Sequence, residues 1–174
     1  MRAITACLLW ALPAAAALAQ TDLASRIIND PAAPEVNGAR AKLVDDAEVQ
    51  GGKALRVTVP KKGQNNWDSV VETAINKPVK AGDKLVLMLD ARLVKGEGDA
   101  TTATIPYTAV QMKAAPYSAV ISGPITISQS WGLYKVEGRA AKDYGAGALK
   151  ASVQIANAKQ IIDFGPIVVL NMGQ

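Results

Sequence analysis

The sequence predicts an all-β protein, an antiparallel β-sandwich of the jelly-roll type, and three observations lead to that prediction. Eight or nine short apolar runs follow one another, separated by turns rich in glycine, proline and asparagine. Residues 85–93 alternate between leucine or alanine and other side chains, which is the period of a strand with one face in a core. No stretch has the length and period of a long helix, so short strands at this spacing favour a sandwich.

The first 19 residues have the pattern of a secretory signal. Arg2 supplies a positive charge, residues 4–12 are apolar, and Ala17-Leu18-Ala19 forms a small-x-small cleavage site before Gln20. The apolar run is short for a membrane span, and a retained anchor is the alternative. We therefore expect a secreted or periplasmic protein that does not contact the membrane once the signal peptide, residues 1–19, is removed.

The remaining chain is long enough for one domain with its own core. Residues 20–40 are predicted as a lead-in, because their short apolar stripe is ended by two prolines. Residues 41–174 are predicted as a single β-sandwich. The chain shows no internal repeat and no sign of a second domain beyond it.

The strands are predicted in order from apolar runs between turn signals. A two-residue Gly-Gly link joins residues 41–49 to residues 54–59, which is a strong hairpin signal. The remaining runs, apart from the central pair, are residues 103–112, 117–127, 131–141, 149–155 and 160–170.

The stretch from residue 65 to residue 92 contains the central pair of strands. Its first strand follows Trp67, which stands between amide and acidic side chains. A Lys-Ala-Gly-Asp turn at residues 80–83 separates that strand from the alternating one. The second strand carries its leucines on one face and Asp90 and Arg92 on the other. That other face is predicted to line solvent or a polar cleft.

Composition excludes several functions. The sequence has no histidine, and its single cysteine, Cys7, lies in the signal. The exported protein therefore has no Ser-His or Cys-His nucleophile, no usual zinc site and no disulfide. The net charge is +4 and the basic residues are scattered. We expect no nucleic-acid partner, because such proteins concentrate their cations in a patch.

The order of the landmarks resembles a known family. The motifs are Asn66-Trp67-Asp68, Ala81-Gly82-Asp83, Asp90-Ala91-Arg92, Gln111 before Ala115-Pro116-Tyr117, Trp131-Gly132-Leu133-Tyr134, Ser152-Val153-Gln154-Ile155 and the run from Gln160 to Gly165. The sequence is similar, over most of residues 41–170, to carbohydrate-binding modules of the family 4/9 type. These are galactose-binding-like jelly rolls that accompany secreted polysaccharide hydrolases.

The resemblance implies a cleft for a polysaccharide or oligosaccharide, with Trp67 and Tyr117 as aromatic platforms. It also implies that Arg92, Gln111 and Gln154 lie on the polar wall of that cleft. The chemistry agrees with these roles, because a pyranose has one apolar C–H face and a rim of hydroxyls. A ring covers that face, and amide or guanidinium groups hydrogen-bond to the rim.

Structural explanations compete for the same residues. Trp67 and Tyr117 could cap the sandwich. Gln111 and Gln154 could be ordinary polar residues on the solvent-exposed face of their strands. Arg92 could pair with Asp90 or Glu72. Trp131 begins a strand and is expected to pack in the core.

The resemblance also suggests a site for a structural calcium ion, which many jelly-roll modules bind through acidic residues near the end of the chain. Here that place reads Gly165-Pro166-Ile167, with Asp163 the nearest acid. One carboxylate with backbone carbonyls is a weak calcium site. We therefore expect no cofactor, and a calcium site stays an alternative.

Two other classes of function compete with non-catalytic glycan binding. One is a glycan hydrolase or lyase on the same scaffold, for which Glu72, Asp68 and Asp90 are the best acids. The other is a protein-interaction module that uses Trp67 or a sheet edge. No catalytic domain is attached in this sequence, which is unusual for such modules, since they normally accompany an enzyme in the same chain.

The signal prediction is tested on protein exported by its native host. We expect N-terminal sequencing of the mature protein to begin at Gln20 or within a residue or two of it. An exported chain that still begins at Met1 would contradict the prediction.

Overall fold

The computed structural model describes residues 23–174, and the predicted signal peptide lies outside them. Ten strands form in this part of the chain: β1 (Glu35–Asn37), β2 (Arg40–Asp45), β3 (Lys53–Val59), β4 (Val70–Ile75), β5 (Lys84–Lys95), β6 (Thr102–Met112), β7 (Ala119–Ser128), β8 (Gly132–Arg139), β9 (Leu149–Gln154) and β10 (Gln160–Asn171). A single 3-10 turn, Asn66–Asp68, precedes β4. No helix among the described residues is long and apolar enough to cross a membrane.

The strands form two five-stranded antiparallel sheets. One has the order β1-β4-β9-β6-β7, and we call it the cleft sheet; the other has the order β2-β3-β10-β5-β8, and we call it the back sheet. The predicted all-β sandwich is therefore confirmed. The predicted β2–β3 hairpin is also present, with Ala41 opposite Val57, but its loop spans residues 46–52 and is longer than the two-residue Gly-Gly link expected from sequence. Strands β4 and β5, the central pair, follow each other along the chain but lie in opposite sheets.

The core lies between the sheets and follows the alternation of the strands. In β5, the leucines predicted to face inward at 85, 87, 89 and 93 are at most 1% exposed. Phe164 on β10 and Leu149 and Val153 on β9 fill the same layer. Because no disulfide holds the described chain, this buried apolar surface carries the stability.

The lead-in is more closely tied to the sandwich than the sequence indicated. Ile28 is 4% exposed and belongs to the core. The Asn29 amide donates to the Ile167 carbonyl and accepts from the Val169 amide, at 2.8 Å each. The short strand β1 lies beside β4. Residues well before position 41 therefore belong to the folded domain.

The outer face of the back sheet carries a network of ion pairs. Asp163 on β10 is fully buried and accepts from Arg56 Nε at 2.7 Å and from Arg92 Nη2 at 3.0 Å. Burial raises the pKa of Asp163, but hydrogen bonds from the two guanidinium groups outweigh it and leave the pKa below its ordinary value.

This arrangement does not fit a calcium ion at Asp163. Each carboxylate oxygen already accepts from a guanidinium, and a cation bound there would face two positive charges. Among residues 23–174, no group of three or more acidic, histidine or cysteine side chains is placed to hold a metal.

The buried carboxylate yields a stability prediction. Asp163→Asn removes the carboxylate that pairs with Arg56 and one of the two that pair with Arg92, and should cost about 3–5 kcal/mol at pH 7. Because the folded-state pKa is lowered, the stabilisation is present above the unfolded-state pKa of about 3.9 and is lost as the pH falls through the folded-state pKa. The difference from wild type should therefore shrink below about pH 4.

Denaturant unfolding at several pH values measures this difference. Asp143→Asn is the control, because Asp143 is an exposed carboxylate, with 61% of its side chain accessible, that pairs with Lys80. The control should lose much less stability. An Asp163→Asn variant that unfolds with the wild-type midpoint at pH 7 would show that the buried ion pair is dispensable.

Candidate functional site

A cleft of about 870 Å³ lies on the outer face of the cleft sheet. Strand pairing arranges the outward side chains of this sheet in three rows. The first row is Asn37, Val70, Gln154 and Tyr107; the second is Glu35, Glu72, Ser152 and Ala109; the third is Ala74, Lys150 and Gln111. Seven of these eleven side chains line the cleft and form its floor: Asn37, Val70, Glu72, Tyr107, Gln111, Lys150 and Gln154. Successive rows are two residues apart along each strand, so the first and third are separated by about 13 Å.

The short residues of the middle row are covered by the longer side chains around them. Ser152 and Ala109 are fully buried, whereas the glutamines, the lysine and the tyrosine of the neighbouring rows line the cleft. A ligand in the cleft therefore meets these larger polar side chains and not the strand backbone beneath them.

Trp67 projects beside the first row and is 63% exposed. Its short 3-10 turn is fixed from below, since the Asp68 carboxylate accepts from the backbone amides of Gln64 at 2.8 Å and Asn65 at 3.0 Å. The hydrogen bond from the Asn65 amide is the main reason that the pKa of Asp68 is lowered. At Gly38, where φ is +71°, an added Cβ would lie 1.7 Å from the Asp68 carbonyl oxygen. The exposed ring therefore stands on a rigid base.

Tyr117 projects beside the third row and is 54% exposed. It is the single non-glycine residue with positive φ, at 58°, in the described chain. A tyrosine in the left-handed region is strained, and such outliers cluster at functional sites. The loop is closed by the Met112 amide, which donates to the Ser118 carbonyl at 3.0 Å. The ring is held over the cleft by this backbone conformation.

Two glutamine amides lie in the floor between the rings. Gln111 is 5% exposed and Gln154 is 9% exposed. Neither side-chain amide has a hydrogen-bond partner among the described residues. The amide atoms are not themselves buried, since the buried side-chain atoms without a partner there are Thr108 Oγ1 and Gln160 Oε1. Both line the cleft, so a molecule that enters it can reach them. Each amide offers two donors and an acceptor.

Other polar groups complete the floor. Lys150 Nζ lies 2.6 Å from Glu72 Oε1 and 5.8 Å from the centre of the Tyr117 ring. Burial raises the pKa of Tyr107, so its phenol stays protonated and able to donate at neutral pH. Among the described residues that line the cleft, only Glu72 and Lys150 are charged.

The structure therefore brings four of the five residues that the sequence singled out into one cleft: Trp67, Tyr117, Gln111 and Gln154. The expectation for Arg92 is wrong. Arg92 lies on β5 in the back sheet, where it pairs with Asp163 at 3.0 Å and Asp46 at 2.6 Å. Its partners are also not Asp90 or Glu72, the acids suggested from sequence.

Trp131 also differs from its expected place. It is half-buried on the back sheet and does not belong to the core between the sheets. Its ring lies under the Arg92 guanidinium, 4.9 Å from the centroid, and its Nε1 donates to Asp46 at 3.4 Å. The tryptophan supports the ion-pair network.

The three acids suggested for catalysis lie in three different places. Glu72 is paired with Lys150 in the cleft, and Asp68 is bonded to backbone amides beneath Trp67. Asp90 is on β5 in the back sheet. They form no carboxylate pair on opposite sides of a bond, which hydrolysis by the usual glycosidase mechanism requires.

Sequence reasoning missed Lys150, Tyr107 and Asn37 as cleft residues. Lys150 could have been found, because it alternates with Leu149 and Ala151 on the same face as Gln154. Tyr107 lies in a strand with apolar residues on both faces, so alternation does not show whether its side chain faces the core or the cleft. Asn37 belongs to a three-residue strand without a periodic pattern.

Comparison with known proteins identifies the fold of this chain through solved structures, and not through its sequence. No protein-family model and no curated protein matches the sequence. A CBM4 structure superposes with a TM-score of 0.63 at 14% identity, covering 81% of this chain and 96% of the other. The fold is the jelly roll of carbohydrate-binding modules.

Two further solved structures have the same fold. The second N-terminal cellulose-binding domain of Cellulomonas fimi β-1,4-glucanase C has a TM-score of 0.60 at 13% identity, covering 81% of this chain and 86% of that domain. The CBM22-1 xylan-binding domain of Paenibacillus barcinonensis Xyn10C has a TM-score of 0.56 at 11% identity, with the same coverage. At these identities the likeness concerns the fold.

Proposed function

We propose that this protein binds a polysaccharide outside the cytoplasm, without acting on it, in the cleft between Trp67 and Tyr117. The observation that carries the proposal is the pair of glutamines in the floor. Gln111 and Gln154 are at least nine-tenths buried, and neither amide has a partner within the described chain. Their amide atoms are accessible from the cleft, so a ligand there can make hydrogen bonds that the protein leaves open.

The two rings supply the other half of a sugar site. An exposed aromatic ring covers the apolar face of a pyranose, and amides between the rings hydrogen-bond to its hydroxyls. The rows of the floor extend about 13 Å along the strands, so the cleft offers contacts to more than one sugar unit. A run of linked sugars therefore fits better than a monosaccharide.

The structural neighbours support this class of ligand. Those described above are a CBM4, a cellulose-binding domain and a xylan-binding domain. Xylan and cellulose both have backbones of β-linked neutral sugars, so β-linked plant cell-wall polysaccharides are the first ligands to test. The predicted signal peptide is consistent with a protein that meets such polymers in the periplasm or the medium.

Removal of either ring should weaken binding. Trp67→Ala or Tyr117→Ala loses the ring contact, about 0.5–1.5 kcal/mol beyond the buried area, and the area itself contributes more. The affinity should therefore fall more than about tenfold. Isothermal titration calorimetry with soluble xylan, mixed-linkage glucan and their hexasaccharides measures the change.

The matched control is Leu133→Ala, because Leu133 is as exposed as Trp67, at 63%, but lies on the back sheet. It should bind like wild type, and thermal melts should show all three variants folded. A wild type that binds a glycan and a Trp67→Ala variant that binds it equally well would contradict the platform. A Trp67→Ala variant that melts far below wild type would make the tryptophan structural.

A further inference from the structure

The cleft floor contains an ion pair with unused hydrogen-bonding capacity. Lys150 Nζ lies 2.6 Å from Glu72 Oε1, and the Ser152 hydroxyl donates to the same oxygen at 3.2 Å. Glu72 Oε2 has no partner among the described residues, and Lys150 uses one of its three N–H donors on this carboxylate. An acceptor and a donor are therefore left side by side, both available to a ligand in the cleft.

The pair is already largely withdrawn from water. The side chains of Lys150 and Glu72 are 17% and 16% exposed. A ligand that covers the floor removes the remaining water, and burying charged groups is unfavourable unless they keep hydrogen bonds. The ligand must therefore donate to Glu72 Oε2 and accept from Lys150 Nζ. Two neighbouring hydroxyls of one sugar do both.

We propose that Glu72 and Lys150 together recognise vicinal hydroxyls of a neutral sugar unit and discriminate against a carboxylate at that position. The inference rests on the proposed function. A uronate placed there would meet the Glu72 carboxylate, while Lys150 is already engaged by that same group. No other cation lines the described cleft to compensate. The ion pair thus acts as a specificity element beside the rings.

The test removes one charge at a time. Glu72→Gln has the same shape and keeps an acceptor for Ser152, whereas Lys150→Met keeps the length of the side chain. Glu35→Gln is the matched control, because Glu35 lies opposite Glu72 on β1 but does not line the cleft. Calorimetry with xylohexaose, cellohexaose and a xylo-oligosaccharide bearing glucuronic acid, together with thermal melts, gives affinities for neutral and acidic sugars.

We expect each charge-removing variant to bind the neutral hexasaccharides about ten- to one-hundredfold more weakly, since each loses hydrogen bonds to a charged group. Glu72→Gln should in addition bind the acidic oligosaccharide better relative to the neutral one, because Lys150 is then uncompensated. Lys150→Met should bind the acidic oligosaccharide still more weakly relative to the neutral one. Glu35→Gln should match wild type in both measurements.

Two failures are distinguishable. A wild type that binds none of these sugars overturns the proposed function, and this inference with it. A wild type that binds them while Glu72→Gln shows neither a loss nor a changed ratio overturns this inference alone and leaves the cleft as the binding site. If Lys150→Met melts below wild type, its affinities no longer test the inference. The test then rests on Glu72→Gln, which preserves the shape of the side chain, and on its affinity for the acidic oligosaccharide relative to the neutral one.

Discussion

Each strand of the cleft sheet faces two environments at once, because successive side chains point to opposite sides of a strand. Strand β9 shows the consequence. Leu149, Ala151 and Val153 enter the core, while the residues between and after them form the middle of the cleft floor. A slip of one residue would place a lysine between the sheets, so the hydrophobic core fixes the register of the polar floor. The geometry of the site is therefore a product of core packing.

The two outer faces of the sandwich differ in whether their polar side chains have partners within the protein. On the back sheet, Asp163 has a guanidinium on each oxygen, and Asp46 accepts from Arg92 and Trp131. That network is internally satisfied and stabilises the fold. On the cleft sheet, Gln111 and Gln154 are nearly buried without a protein partner. This contrast, more than the presence of exposed rings, separates a binding face from a structural one.

Much of the fold could be predicted, because alternation and turn residues are local signals. The period of β5 and the Gly-Gly link gave a strand and a hairpin that are both present. The placement of Trp67 and the two glutamines in one cleft followed from a resemblance of motifs. Arg92 was misplaced because alternation tells which residues share a face, but not which of two sheets a strand joins. That choice depends on long-range pairing of β5 with β8 and β10.

The most direct measurement is an NMR titration of isotope-labelled protein with xylohexaose or cellohexaose, following side-chain resonances on both faces. The account predicts that the amide groups of Gln111 and Gln154 and the indole N–H of Trp67 shift with the same dissociation constant. The indole N–H of Trp131, held by Asp46 on the back sheet, should stay in place. Saturable binding that moves the Trp131 resonance and leaves both glutamine amides unchanged would contradict the central claim.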